Sequence, residues 1–111
     1  VKDAEDFGGF YTYDEMLDQL DLMHSLYPNL ISERQEIKDD NNSDTPHIHE
    51  TFEGRFLQYV KISDNPNVSE IMDEPQILYT SLHHAREPAS LQQLIYYILI
   101  LVQKPLHHQY L

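Results

Sequence analysis

An α/β layer of two helices and about three strands is the fold class this sequence predicts. Three observations carry it. Tyr13, Met16, Leu17, Leu20, Met23 and Tyr27 recur at helical spacing; Ala89 to Gln103 is apolar enough for a buried helix; and three short stretches between them read as strands. The resulting order is helix, strand pair, strand, metal-type loop, helix.

Residues 1–9 are acidic and end in Gly8-Gly9, as a linker or N-terminal tail would, leaving residues 10–111 as the domain. Thr12-Tyr13-Asp14-Glu15 is a capping box, with Tyr11 and Met16 placed for a hydrophobic staple. Pro28 stops this helix at Tyr27. Ile31 to Ile37 has the polar content of an edge strand, and Phe56 to Ile62 reads as its antiparallel partner, entered through Glu53-Gly54-Arg55. The polar residues 39–51 make an unusually long hairpin connection.

A loop from Asp64 to Pro75 leads into Gln76-Ile77-Leu78-Tyr79-Thr80, short and apolar like an interior strand. Pro88 suits the first turn of the second helix, because no amide donor is needed there. Leu94 to Val102 is apolar nearly all round and predicts burial on several sides. One further helix and three strands cannot supply that cover, so the chain reads as part of a larger domain. Lys104-Pro105 ends the helix.

Composition narrows the function. The 111 residues suffice for one small domain, and 41% hydrophobic residues support a core. Nineteen acidic against seven basic residues give a net charge of −12, a field that repels phosphate backbones and argues against nucleic acid. Cationic partners or divalent metals fit it, with plain solubility the simpler explanation. The absence of cysteine excludes disulfides, thiol catalysis and Cys-ligated zinc. The longest apolar run, Leu94 to Val102, is far below the ~18 residues of a membrane span.

The chemistry is concentrated in His83-His84-Ala85-Arg86-Glu87. His84 and Glu87 form a His-x-x-Glu pair just after the Gln76–Thr80 stretch, and a neutral imidazole with a carboxylate is a ligand set that catalytic zinc takes. Alone, so short a motif matches often by chance, and the pair is two-thirds of a site.

The surrounding motifs sharpen the reading. Gly9 to Met16, Tyr27 to Ile31, Thr51-Phe52-Glu53-Gly54-Arg55, Val60 to Asp64, Glu74 to Thr80 and Leu82 to Glu87, in that order, resemble the zinc metallocarboxypeptidases of the carboxypeptidase A and B kind. The likeness is closest to the bacterial carboxypeptidase T-like members and runs from about Gly8 to about Val102. It implies a mixed β-sheet sandwiched by helices, of which this chain would be an N-terminal fragment. It also implies removal of C-terminal residues from peptides by a zinc-activated water, an extracellular location, and a peptide or protein with a free C-terminus as partner. His84 and Glu87 match the family's first two zinc ligands, and Arg86 matches an arginine on the substrate side. Arg86 can equally neutralise carboxylates in so acidic a chain.

In the family the third zinc ligand, the general-base glutamate, the carboxylate-gripping arginine and the tyrosine that closes on substrate lie further downstream. No catalytic residue is therefore assigned here, and the 111-residue chain alone is expected to be inactive. Residues 104–111 depart from the family pattern, as does the insertion at 39–50. A non-catalytic acidic binding module, for calcium or a basic partner, and a truncated remnant are the alternatives.

The other histidines read more plainly: His83 as packing or hydrogen-bonding beside the site, His24 on the boundary face of the first helix, His47 and His49 as loop residues, His107 and His108 as incidental. Asp40 to Asp44 alternates oxygen donors like a calcium loop but lacks the required glycine and glutamate. Glu70, Asp73 and Glu74 form a second acidic group, in a segment near which carboxypeptidase T-like relatives hold structural Ca2+; a solvated loop is the simpler reading.

Overall fold

A computed structural model of the chain describes residues 9–37, 50–68 and 74–103. The tail before Gly9, most of the polar connection with Asp40 to Asp44, His47 and His49, the residues Glu70 and Asp73, and the ending with His107 and His108 lie outside the described residues.

The order is helix α1 (Tyr13–Leu26), strand β1 (Gln35–Glu36), strand β2 (Gln58–Tyr59) and helix α2 (Pro88–Gln103). α1 starts where its capping box dictates: the Thr12 hydroxyl accepts from the Glu15 amide, and the Glu15 carboxylate accepts from the Thr12 amide at 2.6 Å. Both bonds satisfy amides that the first turn leaves without helical partners. The helix ends at Leu26, with Tyr27 as its C-cap before Pro28. His24, in the last turn, contacts the Ile31 carbonyl through Nδ1 at 2.9 Å and so ties the helix end to the following chain.

The expected hairpin is present and antiparallel. Gln35 pairs with Tyr59 and Glu36 with Gln58, while isolated bridges join Ile31 to Ile62 and Glu50 to Phe56. Between the Ile31–Ile62 bridge and the Gln35–Tyr59 pair the first arm carries one residue more than the second, a bulge. Ser32 absorbs it: its amide donates to the Lys61 carbonyl, and its hydroxyl accepts the Lys61 amide at 2.8 Å. This explains a buried serine in so small a core. Gly54, with φ +78°, closes the tight turn between Thr51 and Arg55.

The core lies where α1, α2 and the first hairpin arm meet. Leu20 and Met23 from α1, Ile31, and Leu91, Ile95, Ile98 and Val102 from α2 form one buried cluster, with Val60 packed at its edge. The α2 residues are spaced 4, 3 and 4 apart, one face of a helix. Arg34 fastens the layers: its guanidinium donates to both Asp21 carboxylate oxygens at 3.0 and 3.1 Å and to Gln58 at 3.0 Å.

Two expectations are corrected. Gln76 to Thr80 forms no strand; Ile77 and Leu78 are 75% and 87% exposed, and the sheet among the described residues has two strands, not about three, and is antiparallel rather than mixed. An apolar run becomes a strand only when a neighbouring ladder takes up its amides and carbonyls, and the hairpin does not extend to it. The second correction concerns α2, which buries one face rather than several and leaves Tyr96 64% exposed. α1 and the hairpin can cover no more than that.

Candidate functional site

The His84–Glu87 segment is a turn feeding directly into α2, not the end of a strand. The Glu87 amide donates to the His84 carbonyl at 3.1 Å, the closing bond of a four-residue turn with Ala85 and Arg86 at its centre. Pro88 follows as the first helical residue, where its missing amide costs nothing.

This turn brings the two predicted ligands together. His84 Nδ1 stands 3.2 Å from both Glu87 carboxylate oxygens. Both side chains are exposed, 78% for His84 and 61% for Glu87, so the pair is open to solvent and to an incoming ion. With its proton on Nδ1 the imidazole donates to the carboxylate; with that nitrogen deprotonated, a lone pair and two carboxylate oxygens converge. Among the described residues no group of three or more metal-ligating side chains gathers.

Arg86 is exposed at the second corner of the turn and forms no ion pair among the described residues. His83 contacts the Thr80 hydroxyl through Nε2 at 3.0 Å, the neighbourly role expected of it. Glu74 is exposed. Tyr79 lies against Tyr97 of α2, ring centroids 5.3 Å apart and tilted by 58°, and so joins the upstream segment to the helix. The neighbouring Tyr79 phenol, as a hydrogen-bonding group for the protonated form and as a like charge once ionised, pushes the Tyr97 pKa above the ordinary tyrosine value.

Two residues around the turn carried no sequence signal. Leu82 has φ +55°, the one non-glycine in the left-handed region among the described residues, and Ser90 sits in the first turn of α2 with its hydroxyl against the loop. A leucine gives no hint of left-handed backbone, and a serine three residues past a glutamate resembles any helix-start serine.

Comparison with known proteins supports the family resemblance. A family model described as zinc carboxypeptidase matches residues 31–109, beginning past α1 and including the whole His84–Glu87 turn. A zinc carboxypeptidase of Saccharothrix mutabilis subsp. capreolus is 30% identical over 81 residues, which is 73% of this chain and 15% of that protein. The chain thus spans a small part of the relative's length. With a hairpin, a ligand-type turn at a helix start and a match across most of its length, this chain belongs to the zinc carboxypeptidase family.

Proposed function

We propose that this chain is the zinc-ligating, N-terminal part of a metallocarboxypeptidase catalytic domain, with His84 and Glu87 as two zinc ligands and Arg86 on the substrate side. The observation that supports it is the spacing of the donors. Two ligands about 2.1 Å from one tetrahedral zinc ion lie about 3.4 Å from each other. His84 Nδ1 and the Glu87 oxygens are separated by 3.2 Å, so the pair can accept an ion with little rearrangement. Its nitrogen and oxygen donors match the metal's preference.

When bound, zinc supplies a water of lowered pKa, from roughly 16 to roughly 7, and polarises the scissile carbonyl. The work of this chain's own residues is to hold and to orient. The turn fixes the ligands relative to α2, and Glu87 sits at the helix start, where the backbone dipole favours a carboxylate. Arg86 offers a planar fork, suited to the two oxygens of a peptide's terminal carboxylate. Catalytic zinc usually takes three protein ligands and a carboxylate base serves the water. The remaining ligand, the base and the specificity pocket are assigned to other parts of the parent protein, and the 111 residues alone have no peptidase activity.

A zinc titration of the chain, followed at the His84 imidazole resonances, tests the ligand roles. His84 should shift with zinc, and Glu87→Gln should weaken that response roughly tenfold or more. Zinc-independent His84 resonances would sink the assignment, and peptide hydrolysis by the isolated chain that is lost in His84→Ala would sink the claim of inactivity.

A further inference from the structure

The turn that carries His84 and Glu87 is closed by a side chain that lies outside the motif. The Leu82 amide donates to the Ser90 hydroxyl oxygen at 2.9 Å, and the same hydroxyl donates to the Glu87 carbonyl at 2.9 Å. The Ser90 amide also reaches that carbonyl, at 3.3 Å. A hydroxyl has one donor and two acceptor sites, so donating to Glu87 leaves a lone pair for Leu82. The chain thus leaves α2 at Glu87, runs back through the ligand turn, and is caught again at Leu82 by the third residue of the same helix.

The catch falls where the backbone needs one. Leu82 holds φ +55°, a conformation disfavoured for a residue with a Cβ and kept only when its surroundings impose it. His83 and His84 follow immediately, and the direction in which His84 leaves the backbone depends on that left-handed residue. Downstream, the hydroxyl grips the carbonyl of the other ligand-bearing residue. One oxygen on α2 therefore references both sides of the His-x-x-Glu turn to the helix.

We infer that Ser90 is a positioning residue for the metal pair: its hydroxyl straps Leu82 to Glu87 and presets the separation of the His84 and Glu87 donors. The inference rests on the ligand roles proposed above. Groups that orient ligands without touching the metal typically change affinity by 10–100-fold when removed. Because Ser90 acts through backbone rather than through a ligand side chain, a loss near the lower bound, roughly tenfold, is expected.

The test uses the 111-residue chain, as wild type, Ser90→Ala and Ser90→Thr, with two readouts. The first is hydrogen exchange at the Leu82 amide without metal. The second is the zinc dissociation constant read at the His84 imidazole resonances. In the wild type the Leu82 amide exchanges well below the unstructured rate. Ser90→Ala should release it and weaken zinc binding roughly tenfold, and Ser90→Thr, which keeps the hydroxyl, should restore both. A Leu82 amide that exchanges freely in the wild type overturns the strap, even where Ser90→Ala does not fold. Zinc affinity unchanged in a folded Ser90→Ala overturns the positioning role and leaves the ligand roles standing. If Leu82 is protected but His84 never responds to zinc, the ligand roles fail and the strap survives as a feature of the loop.

Discussion

Replacing Ile31 by alanine and, in a separate variant, Leu78 by alanine sets a buried and a largely exposed apolar position against each other. Ile31 is fully buried among Leu20, Met23 and the inner face of α2, whereas Leu78 is 87% exposed. Ile31→Ala removes three buried methyl or methylene groups, worth about 2.4 kcal/mol at roughly 0.8 kcal/mol each. The residual cavity adds to this, and measured isoleucine-to-alanine costs span about 2–5 kcal/mol. Among the described residues seven apolar side chains are buried in the cluster, so its rim can relax inward and the total should settle near 3 kcal/mol. Leu78→Ala removes little buried area and should fall within about 0.5 kcal/mol of the unaltered chain. Urea unfolding with linear extrapolation measures both, the midpoint shifting while the slope stays constant. Equal costs for the two variants would refute the packing described above and return Gln76–Thr80 to an interior position.

Two further outcomes follow from side-chain geometry. Arg34→Lys keeps the charge but loses the fork that meets both Asp21 oxygens and Gln58, and should cost about 1 kcal/mol in the same unfolding assay, a modest figure because Asp21 is half exposed; a lysine variant as stable as the original would show that the bidentate geometry contributes nothing. Tyr97, whose pKa the neighbouring Tyr79 phenol raises, should ionise above the ordinary tyrosine range and return to it in Tyr79→Phe, as read by ultraviolet titration. Because the folded value is raised, the associated stabilisation is complete below the unfolded-state pKa near 10 and is lost as pH rises through the folded value; unchanged ionisation in Tyr79→Phe would exclude the pairing as the cause.

What was legible in the sequence was what local rules control. The Thr12–Glu15 capping box, the stop at Pro28, the antiparallel pairing of the two hairpin arms and the start of α2 at Pro88 each depend on a few neighbouring residues. The His84–Glu87 pairing was legible for the same reason, since a turn closed three residues apart needs nothing distant. Gln76–Thr80 failed because strand formation is a property of neighbours: the apolar run is real, but its ladder must come from elsewhere. The one-sided burial of α2 failed similarly, as composition gives a helix's appetite for cover but not how much cover arrives. Leu82 and Ser90 were illegible because a left-handed leucine and a serine hydroxyl bridging eight residues leave no periodic or compositional trace.

These elements also decide where the rigidity of the site comes from. In an open α/β sheet a ligand loop takes its position from the strand end that precedes it. Here the preceding segment has no ladder, and the loop takes its position from the helix that follows. Glu87 adjoins the first residue of α2, Leu82 is held by Ser90 in the first turn, and Tyr79 rests on Tyr97 further along. All three attachments refer to one element, and that element is fixed by the single face carrying Leu91, Ile95, Ile98 and Val102. Fluctuations that lift α2 from α1 and Ile31 therefore carry the ligand turn with them as a unit, preserving the His84–Glu87 distance, whereas opening at Leu82 changes that distance while the core stays intact. The second kind of opening costs less, because it breaks contacts that are largely solvent-exposed. The geometry of the His84–Glu87 pair is thus governed by the Ser90 strap more than by the core, and core stability and the zinc affinity proposed for the pair should respond to different substitutions.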